Sequence, residues 1–409
     1  MDIRISPRKL SGTVTPPPSK SMAHRVILSA ALSGGISRLE NIALSQDIEA
    51  TLRCMASMGT GVEYMDSDSF CIHGLGHSVP QAPGPLPHFD CGESGSTLRF
   101  LIPIALAVCG GGVFTGQGRL MERPQKPYFD IFDKQGISYH QENGTLTVEG
   151  RLSPGTFALP GNVSSQFVTG LLYALPLLDG DSVIQITSPL ESRAYVDMTL
   201  DVLAQSGIQV ENQNYERFAV PGNQAFRSGN LTVEADWSQA GFWYAANFLD
   251  STLTINGLNP RSAQGDMVVA DLYWKLARPG DVEIDISGYP DLLPPLAVMA
   301  AVRSGTTFFV NAARLRIKES DRLATVHQML AALGGSAEEG ADSLTVHGVS
   351  SLSGGTVDGA NDHRIVMAAA VAATACRGDV TILGAQAVNK SYPTFWEDYK
   401  HLGGVIHVL

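Results

Sequence analysis

At residues 362–375 the chain reads Asp362-His363-Arg364-Ile365-Val366-Met367-Ala368-Ala369-Ala370-Val371-Ala372-Ala373-Thr374-Ala375, a charged cluster followed by apolar and small side chains. A helix that is apolar on every side must be buried. Its first N–H groups still have no helical acceptor, and they carry the positive end of the helix dipole. Charged residues at such an end are therefore odd unless they face a polar site.

This pattern occurs six times along the chain. The polar clusters are Ser19-Lys20-Ser21 with Arg25, Gly95-Ser96 with Arg99, Ser164-Ser165-Gln166, Asp236-Trp237-Ser238, Asp291, and Asp362-His363-Arg364. Their roughly constant spacing predicts repeated supersecondary units that share cores with their neighbours. If the buried helices lie side by side, their N-termini form a site for anions.

A second pattern alternates with the first: an amphipathic helix, a glycine, and then a strand or hairpin. The amphipathic stretches are 47–58, 128–135, 195–206, 321–333 and 396–402, with a more divergent copy at 266–280. Glycine after the last apolar position is a usual helix stop. The sequence therefore predicts an α/β (α+β) fold.

Six units divide most simply into two similar domains of three units. We expect the break near Val220-Pro221-Gly222-Asn223, giving domains 19–222 and 1–18 plus 223–409. Residues 3–14 have strand character without a helix, so we expect them to complete the second domain. The chain would then cross between domains twice, and we expect the active site in the cleft between them.

Composition excludes several classes of function. The chain has 409 residues, 44% of them apolar, and a net charge of −12, which disfavours nucleic acid or an anionic membrane as partner. The apolar run 365–375 is too short to cross a bilayer, and Met1-Asp2-Ile3-Arg4 does not resemble a signal peptide. Five scattered cysteines lack metal-site spacing, so we expect a cytoplasmic protein without a metal.

The segment 315–322 holds five charges just before an amphipathic helix. Lys318 and Arg322 are four residues apart and could face one anion together. Glu319 beside them is a candidate proton-transfer carboxylate. The alternative is a solvated capping region with Ser320 as N-cap, and the sequence favours neither.

Other clusters also leave two interpretations open. Lys20 at a helix N-terminus is electrostatically unfavourable unless an anion binds there, but it could be a surface lysine beside a serine cap. Asp291 could be a simple cap or a general base. Asp362 could likewise be a cap with Arg364 at the rim.

Together these segments resemble the 3-phosphoshikimate 1-carboxyvinyltransferase, or EPSP synthase, family. The matching residues, in chain order, are Ser19-Lys20-Ser21 with Arg25, Ser94-Gly95-Ser96 with Arg99, Glu122-Arg123-Pro124, Ser164-Ser165-Gln166, Ser192 with Tyr195, Pro290-Asp291, 316–322, Asp362-His363-Arg364, and Lys390 before Tyr392-Pro393. Each match alone is weak evidence for the family, whereas all of them in this order are specific evidence for it.

The resemblance implies a fold and a reaction. The fold has two domains, each with three βαβαββ units around buried parallel helices, an inside-out α/β barrel. The reaction moves the enolpyruvyl group of phosphoenolpyruvate to the 5-hydroxyl of shikimate 3-phosphate through a tetrahedral intermediate. It belongs to the shikimate pathway to chorismate and aromatic amino acids, and the family is the target of glyphosate. No cofactor is needed, and we expect a monomer.

The resemblance also implies roles for individual residues. Asp291 would accept the hydroxyl proton, and Glu319 would manage the proton on the methylene carbon, with Lys20 or Lys318 assisting. The residues for shikimate 3-phosphate would be Lys20, Ser21, Arg25, Ser164, Ser165, Gln166, Ser192, Tyr195, Asp291 and Lys318. Those for phosphoenolpyruvate would be Lys20, Gly95, Arg123, Gln166, Arg322, His363, Arg364 and Lys390.

Two alternatives come from different classes. The sister enolpyruvyl transferase acting on UDP-N-acetylglucosamine typically has Asn after the first lysine and a catalytic cysteine in a mobile loop. Here Ser21 follows Lys20, and Cys109 lies at an apolar helix end. A non-catalytic anion-binding repeat protein would not require the carboxylates of Asp291 and Glu319 among the cations.

Overall fold

The computed structural model of this chain describes residues 1–76 and 85–409. It contains two compact units, which we call the N-terminal unit (Pro18–Val233) and the C-terminal unit (Met1–Pro17 with Glu234–Leu409).

Strands and helices are numbered in chain order over the described residues. The strands are β1 (Ile3–Ser6), β2 (Ser11–Val14), β3 (Ile36–Glu40), β4 (Gly61–Tyr64), β5 (Phe70–His73), β6 (His88–Asp90), β7 (Gly111–Thr115), β8 (Ser138–Glu142), β9 (Thr145–Glu149), β10 (Thr156–Leu159), β11 (Ser182–Ile186), β12 (Glu211–Gln213), β13 (Arg217–Val220), β14 (Asn230–Thr232), β15 (Thr252–Ile255), β16 (Val282–Asp285), β17 (Thr306–Val310), β18 (Ser336–Glu339), β19 (Leu344–His347), β20 (Gly355–Asp358), β21 (Val380–Leu383) and β22 (Val405–Val408). The α-helices are α1 (Lys20–Leu32), α2 (Gln46–Ser57), α3 (Gly95–Val108), α4 (Lys126–Gln135), α5 (Ser165–Ala174), α6 (Arg193–Gln205), α7 (Trp237–Phe248), α8 (Val269–Leu276), α9 (Leu293–Val302), α10 (Arg322–Ala332), α11 (His363–Ala372) and α12 (Phe395–His401). Short 3₁₀ helices cover Leu120–Glu122, Leu175–Leu177, Gly265–Val268, Pro290–Leu292, Ala313–Ile317, Ala373–Ala375 and Ala385–Lys390.

The N-terminal unit has three four-stranded sheets, ordered β14-β3-β5-β4, β6-β7-β9-β8 and β10-β11-β13-β12. Each sheet begins with a parallel pair and continues with antiparallel strands. A parallel pair needs a crossover, and the buried helix α3 supplies it between β6 and β7. The sequence places the domain break near Pro221, but β14 pairs with β3, so the segment up to Val233 stays in this unit.

The three helices α1, α3 and α5 form the interior of this unit. Almost every residue of each is buried, as their mostly apolar sequences require. A serine hydroxyl caps each helix: Ser19, Ser94 and Ser164 accept a backbone N–H of the first turn. The polar ends of these helices are therefore fixed locally by the residues that precede the apolar runs.

The C-terminal unit contains the sheets β16-β17-β19-β18 and β20-β21-β1-β22 and the pair β15-β2. The strand β1 lies between β21 and β22, with Ile3 opposite both Ile382 and Val408. The buried helices α7, α9 and α11 pack against one another. Asp236 and Asp362 cap α7 and α11.

The predicted α/β class with six buried helices is confirmed. One local alternative is wrong: Ser320 is not the N-cap of α10, because the Asp321 side chain accepts the Ala324 N–H and takes that place. The Ser320 hydroxyl donates instead to Asp362 Oδ2 at 2.9 Å. In the part of the chain that the structure describes, no helix is long and apolar enough to cross a membrane.

Candidate active site

In the C-terminal unit, the starts of the three buried helices meet around Arg364. Its Nη2 donates to Ser238 Oγ on α7 at 3.0 Å and to Asp291 Oδ2 at 3.0 Å. Its Nη1 donates to the Asp291 carbonyl at 3.2 Å. Asp291 lies in the 3₁₀ turn that leads into α9. A single guanidinium from α11 thus holds the starts of the other two helices.

Arg322 is the centre of the same charge cluster and is only 1% exposed. Its Nη1 donates to Asp291 Oδ1 at 2.7 Å and its Nη2 to Glu319 Oε2 at 2.7 Å. Its Nε donates to Asp362 Oδ2 at 2.8 Å. Burial alone would lower the pKa of Arg322, but the three carboxylates outweigh burial and raise it. The guanidinium is therefore a permanent cation.

Asp362 is completely buried and holds the Arg322 guanidinium in place through the contact with Nε. It accepts the Arg364 backbone N–H at 3.0 Å as the cap of α11. Burial raises the pKa of Asp362, but the charge of Arg322 opposes burial, and the net pKa is lowered. His363 is also buried, with Nδ1 3.9 Å from Asp362 Oδ1. Asp362 is thus both the cap of α11 and an ionised partner of Arg322.

Lys318 completes the cluster at its exposed side. Its Nζ lies 3.5 Å from Asp291 Oδ1, and its side chain is 25% exposed. Burial lowers the pKa of Lys318 to about 8, with Asp291 opposing and Arg322 adding to the decrease. This amine can therefore exchange a proton near neutral pH, unlike an ordinary lysine.

Formal charges balance within the cluster. The carboxylates are Asp291, Glu319 and Asp362, and the cations are Lys318, Arg322 and Arg364. An incoming anion must therefore compete with a carboxylate for a guanidinium, and Asp362 is the carboxylate buried too deeply to yield.

Two further cations of this unit lie near loops that lead to the cluster. Lys390 is buried, and its Nζ donates to the Asn361 carbonyl at 2.6 Å, directly before α11. Arg314 Nη2 donates to the Ser287 carbonyl at 2.8 Å, in the loop before Asp291. Arg316 has a structural role, since its Nη1 pairs with Asp321 and Glu339, both at 2.8 Å.

In the N-terminal unit, the starts of α3 and α5 are joined by side chains. Arg99 Nη1 donates to Gln166 Oε1 at 2.8 Å, and Gln166 Nε2 donates to Ser96 Oγ at 3.0 Å. The Arg99 guanidinium also stacks over the Phe167 ring, 4.8 Å from its centre. The Gln166 amide is therefore held in one orientation at the helix starts.

Arg25 links α1 to its neighbours and is 2% exposed. Its Nε donates to Thr199 Oγ1 at 2.9 Å, its Nη2 to the Tyr195 carbonyl at 2.8 Å, and its Nη1 to the Ser21 carbonyl at 2.6 Å. Burial lowers the pKa of Arg25 to about 10, so it remains a cation at neutral pH. The same side chain thus joins the first turn of α1 to the first turn of α6.

Lys20 forms a close ion pair at the first residue of α1. Its Nζ lies 2.6 Å from Asp47 Oδ2 in the first turn of α2, and both side chains are largely buried. A largely buried pair with this geometry is stronger than an exposed one. The alternative of an ordinary surface lysine is wrong.

Gly95 lies directly against Arg123. A Cβ placed on Gly95 would lie 2.6 Å from Arg123 Nη1, closer than any real contact. The Arg123 side chain is buried, and its carbonyl accepts Gln125 Nε2 at 3.2 Å. Gly95 therefore lets an arginine approach the first turn of α3, where backbone N–H groups are unpaired by the helix.

The hydroxyls at the remaining predicted positions lie at helix starts. Ser164 caps α5, and Ser165 is buried in the first turn. Ser192 precedes α6 with φ at +53°, a left-handed conformation that is uncommon for serine and often accompanies function.

Four residues that contact the candidate site residues were not among those the sequence predicted: Asp47, Arg99, Ser238 and Asp362. Three of them stand inside the polar clusters before buried helices, so the signal was present. Asp47 had no signal beyond being an acid in a helix's first turn. Among residues 1–76 and 85–409, no group of three His, Cys, Asp or Glu could hold a metal ion.

Within each unit, the charged and polar side chains gather where the starts of buried helices converge. The chain is therefore an α/β repeat protein with polar sites at helix N-termini. The model of the EPSP synthase (3-phosphoshikimate 1-carboxyvinyltransferase) family matches residues 5–399, and the chain belongs to this family.

Individual relatives agree with the family match. The 3-phosphoshikimate 1-carboxyvinyltransferase of Clostridium novyi (strain NT) is 45% identical over 99% of this chain and 98% of the relative. The enzyme of the same name from Clostridium acetobutylicum is also 45% identical, with the same coverage. The EPSP synthase structure from Acinetobacter baumannii shares the fold, with a TM-score of 0.80 over all of both chains at 24% identity. The resemblance to the family and its fold is confirmed.

Proposed function

We propose that this protein transfers the enolpyruvyl group of phosphoenolpyruvate to the 5-hydroxyl of shikimate 3-phosphate and releases phosphate. The observation that carries the proposal is the position of Asp291, whose carboxylate contacts Arg322, Arg364 and Lys318 in a chain of this family. A carboxylate held among cations suits a base beside anionic substrates. Mere anion binding would gain nothing from it.

The proposed reaction has two stages. In the first, Asp291 takes the proton of the 5-hydroxyl, the oxygen attacks C2 of phosphoenolpyruvate, and C3 gains a proton that Lys20 or Lys318 supplies through Glu319. In the second, the C2–O bond to phosphate breaks, phosphate leaves with the electron pair, and C3 loses a proton to restore the double bond. Cations around the tetrahedral intermediate stabilise its charge in both stages.

Phosphoenolpyruvate binding would release a carboxylate for this chemistry. An anionic group of the substrate on Arg322 would displace Glu319 from Nη2, since Glu319 is more exposed than Asp362. The released Glu319 would then exchange the proton at C3. Lys20 or Lys318 would assist, and Lys318 is suited to it because its pKa is about 8.

The other ligands follow from the two groups of helix starts. For phosphoenolpyruvate we propose Lys20, Gly95, Arg123, Gln166, Arg322, His363, Arg364 and Lys390, and for shikimate 3-phosphate Lys20, Ser21, Arg25, Ser164, Ser165, Gln166, Ser192, Tyr195, Asp291 and Lys318. Arginine suits this task because its planar fork matches carboxylate and phosphate.

A phosphate-release assay tests the proposal. Purified protein receives both substrates, and each is omitted in turn. Release that needs both substrates supports the reaction, whereas release with one alone, or none at all, contradicts it. Asp271→Asn is a matched control for changes at Asp291, because Asp271 is an exposed acid of the same unit.

The sister activity toward UDP-N-acetylglucosamine is less well supported. Cys109 is the C-cap of α3, at the opposite end of that helix from Gly95. A cysteine there is far from the first turn where phosphoenolpyruvate is proposed to bind. The same assay with UDP-N-acetylglucosamine in place of shikimate 3-phosphate should release no phosphate.

We further propose a cytoplasmic monomer. All five cysteines are free thiols, which suits a reducing compartment. Light scattering after size-exclusion chromatography measures the mass directly, and 43.5 kDa is expected.

A further inference from the structure

A chain of buried hydrogen bonds joins the helices α1, α2 and α3. His24 Nδ1 lies 2.7 Å from Thr51 Oγ1, and Thr51 Oγ1 lies 2.6 Å from Thr97 Oγ1. Thr97 Oγ1 in turn lies 2.7 Å from Ser94 Oγ. All four side chains are buried. None of these residues has a role in the reaction described above.

The donor and the acceptor can be assigned for each hydrogen bond in this series. A threonine hydroxyl has one hydrogen to donate. Thr97 donates its hydrogen to Ser94 Oγ, which also accepts the Thr97 backbone N–H at 3.2 Å as the cap of α3. Thr51 donates to Thr97 Oγ1 at 2.6 Å in preference to the Asp47 carbonyl, which lies 3.4 Å from Thr51 Oγ1. Thr51 Oγ1 in turn accepts a hydrogen from His24. The imidazole therefore carries its proton on Nδ1.

The imidazole is also neutral. Burial lowers the pKa of His24 well below its ordinary value, and the charges of Lys20 and Arg25 lower it further. Nε2 is buried with no hydrogen-bond partner in the described residues, and the ring lies edge-on to Phe100. A proton on Nε2 would place an unpaired N–H beside two cations. A buried Nε2 without a hydrogen costs less free energy than a buried Nε2–H without an acceptor at this position.

We propose that His24 is a positioning residue that fixes the start of α3 through Thr51, Thr97 and Ser94. Ser94 caps α3, so its orientation sets the direction of the Gly95 and Ser96 N–H groups in the first turn. This inference rests on the proposed function, in which Gly95 contacts phosphoenolpyruvate. His24 itself touches no substrate and acts through the chain of hydroxyls.

The tautomer is measured directly by ¹⁵N–¹H correlation spectroscopy of the imidazoles. The signals of His24 are those lost in His24→Asn. We expect a protonated Nδ1, a bare Nε2, and no titration down to about pH 6, below which an ordinary histidine would already be protonated. A protonated Nε2, or titration near the ordinary value, would overturn the inference. This result does not depend on whether the reaction proposed above is correct.

The positioning role is tested by the pair Thr51→Val and Thr51→Ser. Valine keeps the shape and removes the hydroxyl, so we expect the KM for phosphoenolpyruvate to rise about fivefold or more. The KM for shikimate 3-phosphate should stay within about twofold, since none of its proposed ligands lies in the first turn of α3 that Ser94 caps. Serine should restore the wild-type KM. Equal changes in both KM values would show a purely structural role and would overturn the inference.

Thr51→Ala provides a second variant without the hydroxyl if the valine variant does not fold. The same split between the two KM values is expected from it. Wild-type protein that releases no phosphate at all would refute the proposed function. The tautomer measurement would still test the hydrogen-bond assignment, because it does not depend on activity.

Discussion

Arg364 and Asp291 are 73 residues apart in the chain, yet Nη2 of the arginine lies 3.0 Å from Oδ2 of the aspartate. The same arginine donates to the Asp291 carbonyl at 3.2 Å. Backbone and side chain are thus held together, so the carboxylate has one orientation set by the start of α11. A base held this way needs no rearrangement before it accepts a proton.

Asp291→Asn should lower kcat by roughly a hundredfold or more, because an amide cannot take the hydroxyl proton. Substrate affinities should stay within about tenfold, since asparagine keeps the size of the side chain and the neighbouring cations remain. Single-turnover kinetics and equilibrium binding measure the two quantities separately. Asp271→Asn should match wild type, and normal turnover by Asp291→Asn would refute its role as base.

Arg322→Ala should destabilise the C-terminal unit strongly. Removing the guanidinium leaves the fully buried Asp362 without its ionic partner, and breaking a buried pair costs about 3–5 kcal/mol. Urea unfolding measures the loss. Arg316→Ala is the matched control: its ion pairs are about 30% exposed, and with its bonds to the Gly340 and Ala341 carbonyls also lost it should cost about 1–2 kcal/mol. Similar losses of unfolding free energy in both variants would show that the buried pair of Arg322 and Asp362 stabilises the unit no more than the exposed pairs of Arg316.

In the folded fraction of Arg322→Ala, phosphoenolpyruvate binding should weaken far more than shikimate 3-phosphate binding. The proposed ligands of shikimate 3-phosphate do not include Arg322, and most of them lie in the N-terminal unit. Titration calorimetry of each substrate gives the two losses. Equal losses would contradict the assignment.

The sequence predicts the buried helices well because each depends on its own residues alone. The run after Asp362 is apolar on every side, so only burial can accommodate it, and the structure buries all of α11. Because α11 is buried, the sequence also predicts that the charged residues at its start face a polar site. Local patterns of this kind are readable without any tertiary contact.

The partners of the charges could not be read in the same way. Arg322 meets Asp362 across 40 residues, and Lys20 meets Asp47 across 27. No periodicity links such positions, because the packing of separate helices decides which side chains meet. Ser320 shows the same limit at short range: a serine before a helix looks like a cap, but its hydroxyl is taken by the distant Asp362, and Asp321 caps instead.

Lys318 should set the alkaline limit of turnover. Its pKa is lowered to about 8, so the protonated form dominates below that pH and is lost above it. If the ammonium assists the reaction, kcat/KM, which reports the pKa values of the free enzyme, falls as pH rises through about 8. Lys318→Arg should move this limit upward, because a guanidinium stays protonated. The pH profile of kcat/KM measures the shift.

Lys275→Arg is the control for the pH profile, because Lys275 is an exposed lysine of the same unit. Its alkaline limit should equal that of wild type. An unchanged limit in an active Lys318→Arg variant would assign the titration to another group.

Gly95→Ala should raise the KM for phosphoenolpyruvate while leaving that for shikimate 3-phosphate nearly unchanged. The new methyl group would lie 2.6 Å from Arg123 Nη1, so the guanidinium, a proposed ligand of phosphoenolpyruvate, must move. The backbone has no strained φ at Gly95, so the protein should still fold. Gly229→Ala is the matched control, since a Cβ there meets nothing within 4 Å. Steady-state kinetics with each substrate varied in turn separates the two KM values. A Gly95→Ala variant with a wild-type KM for phosphoenolpyruvate would show that this turn does not contact the substrate. It would contradict the proposed roles of Gly95 and Arg123 in binding phosphoenolpyruvate.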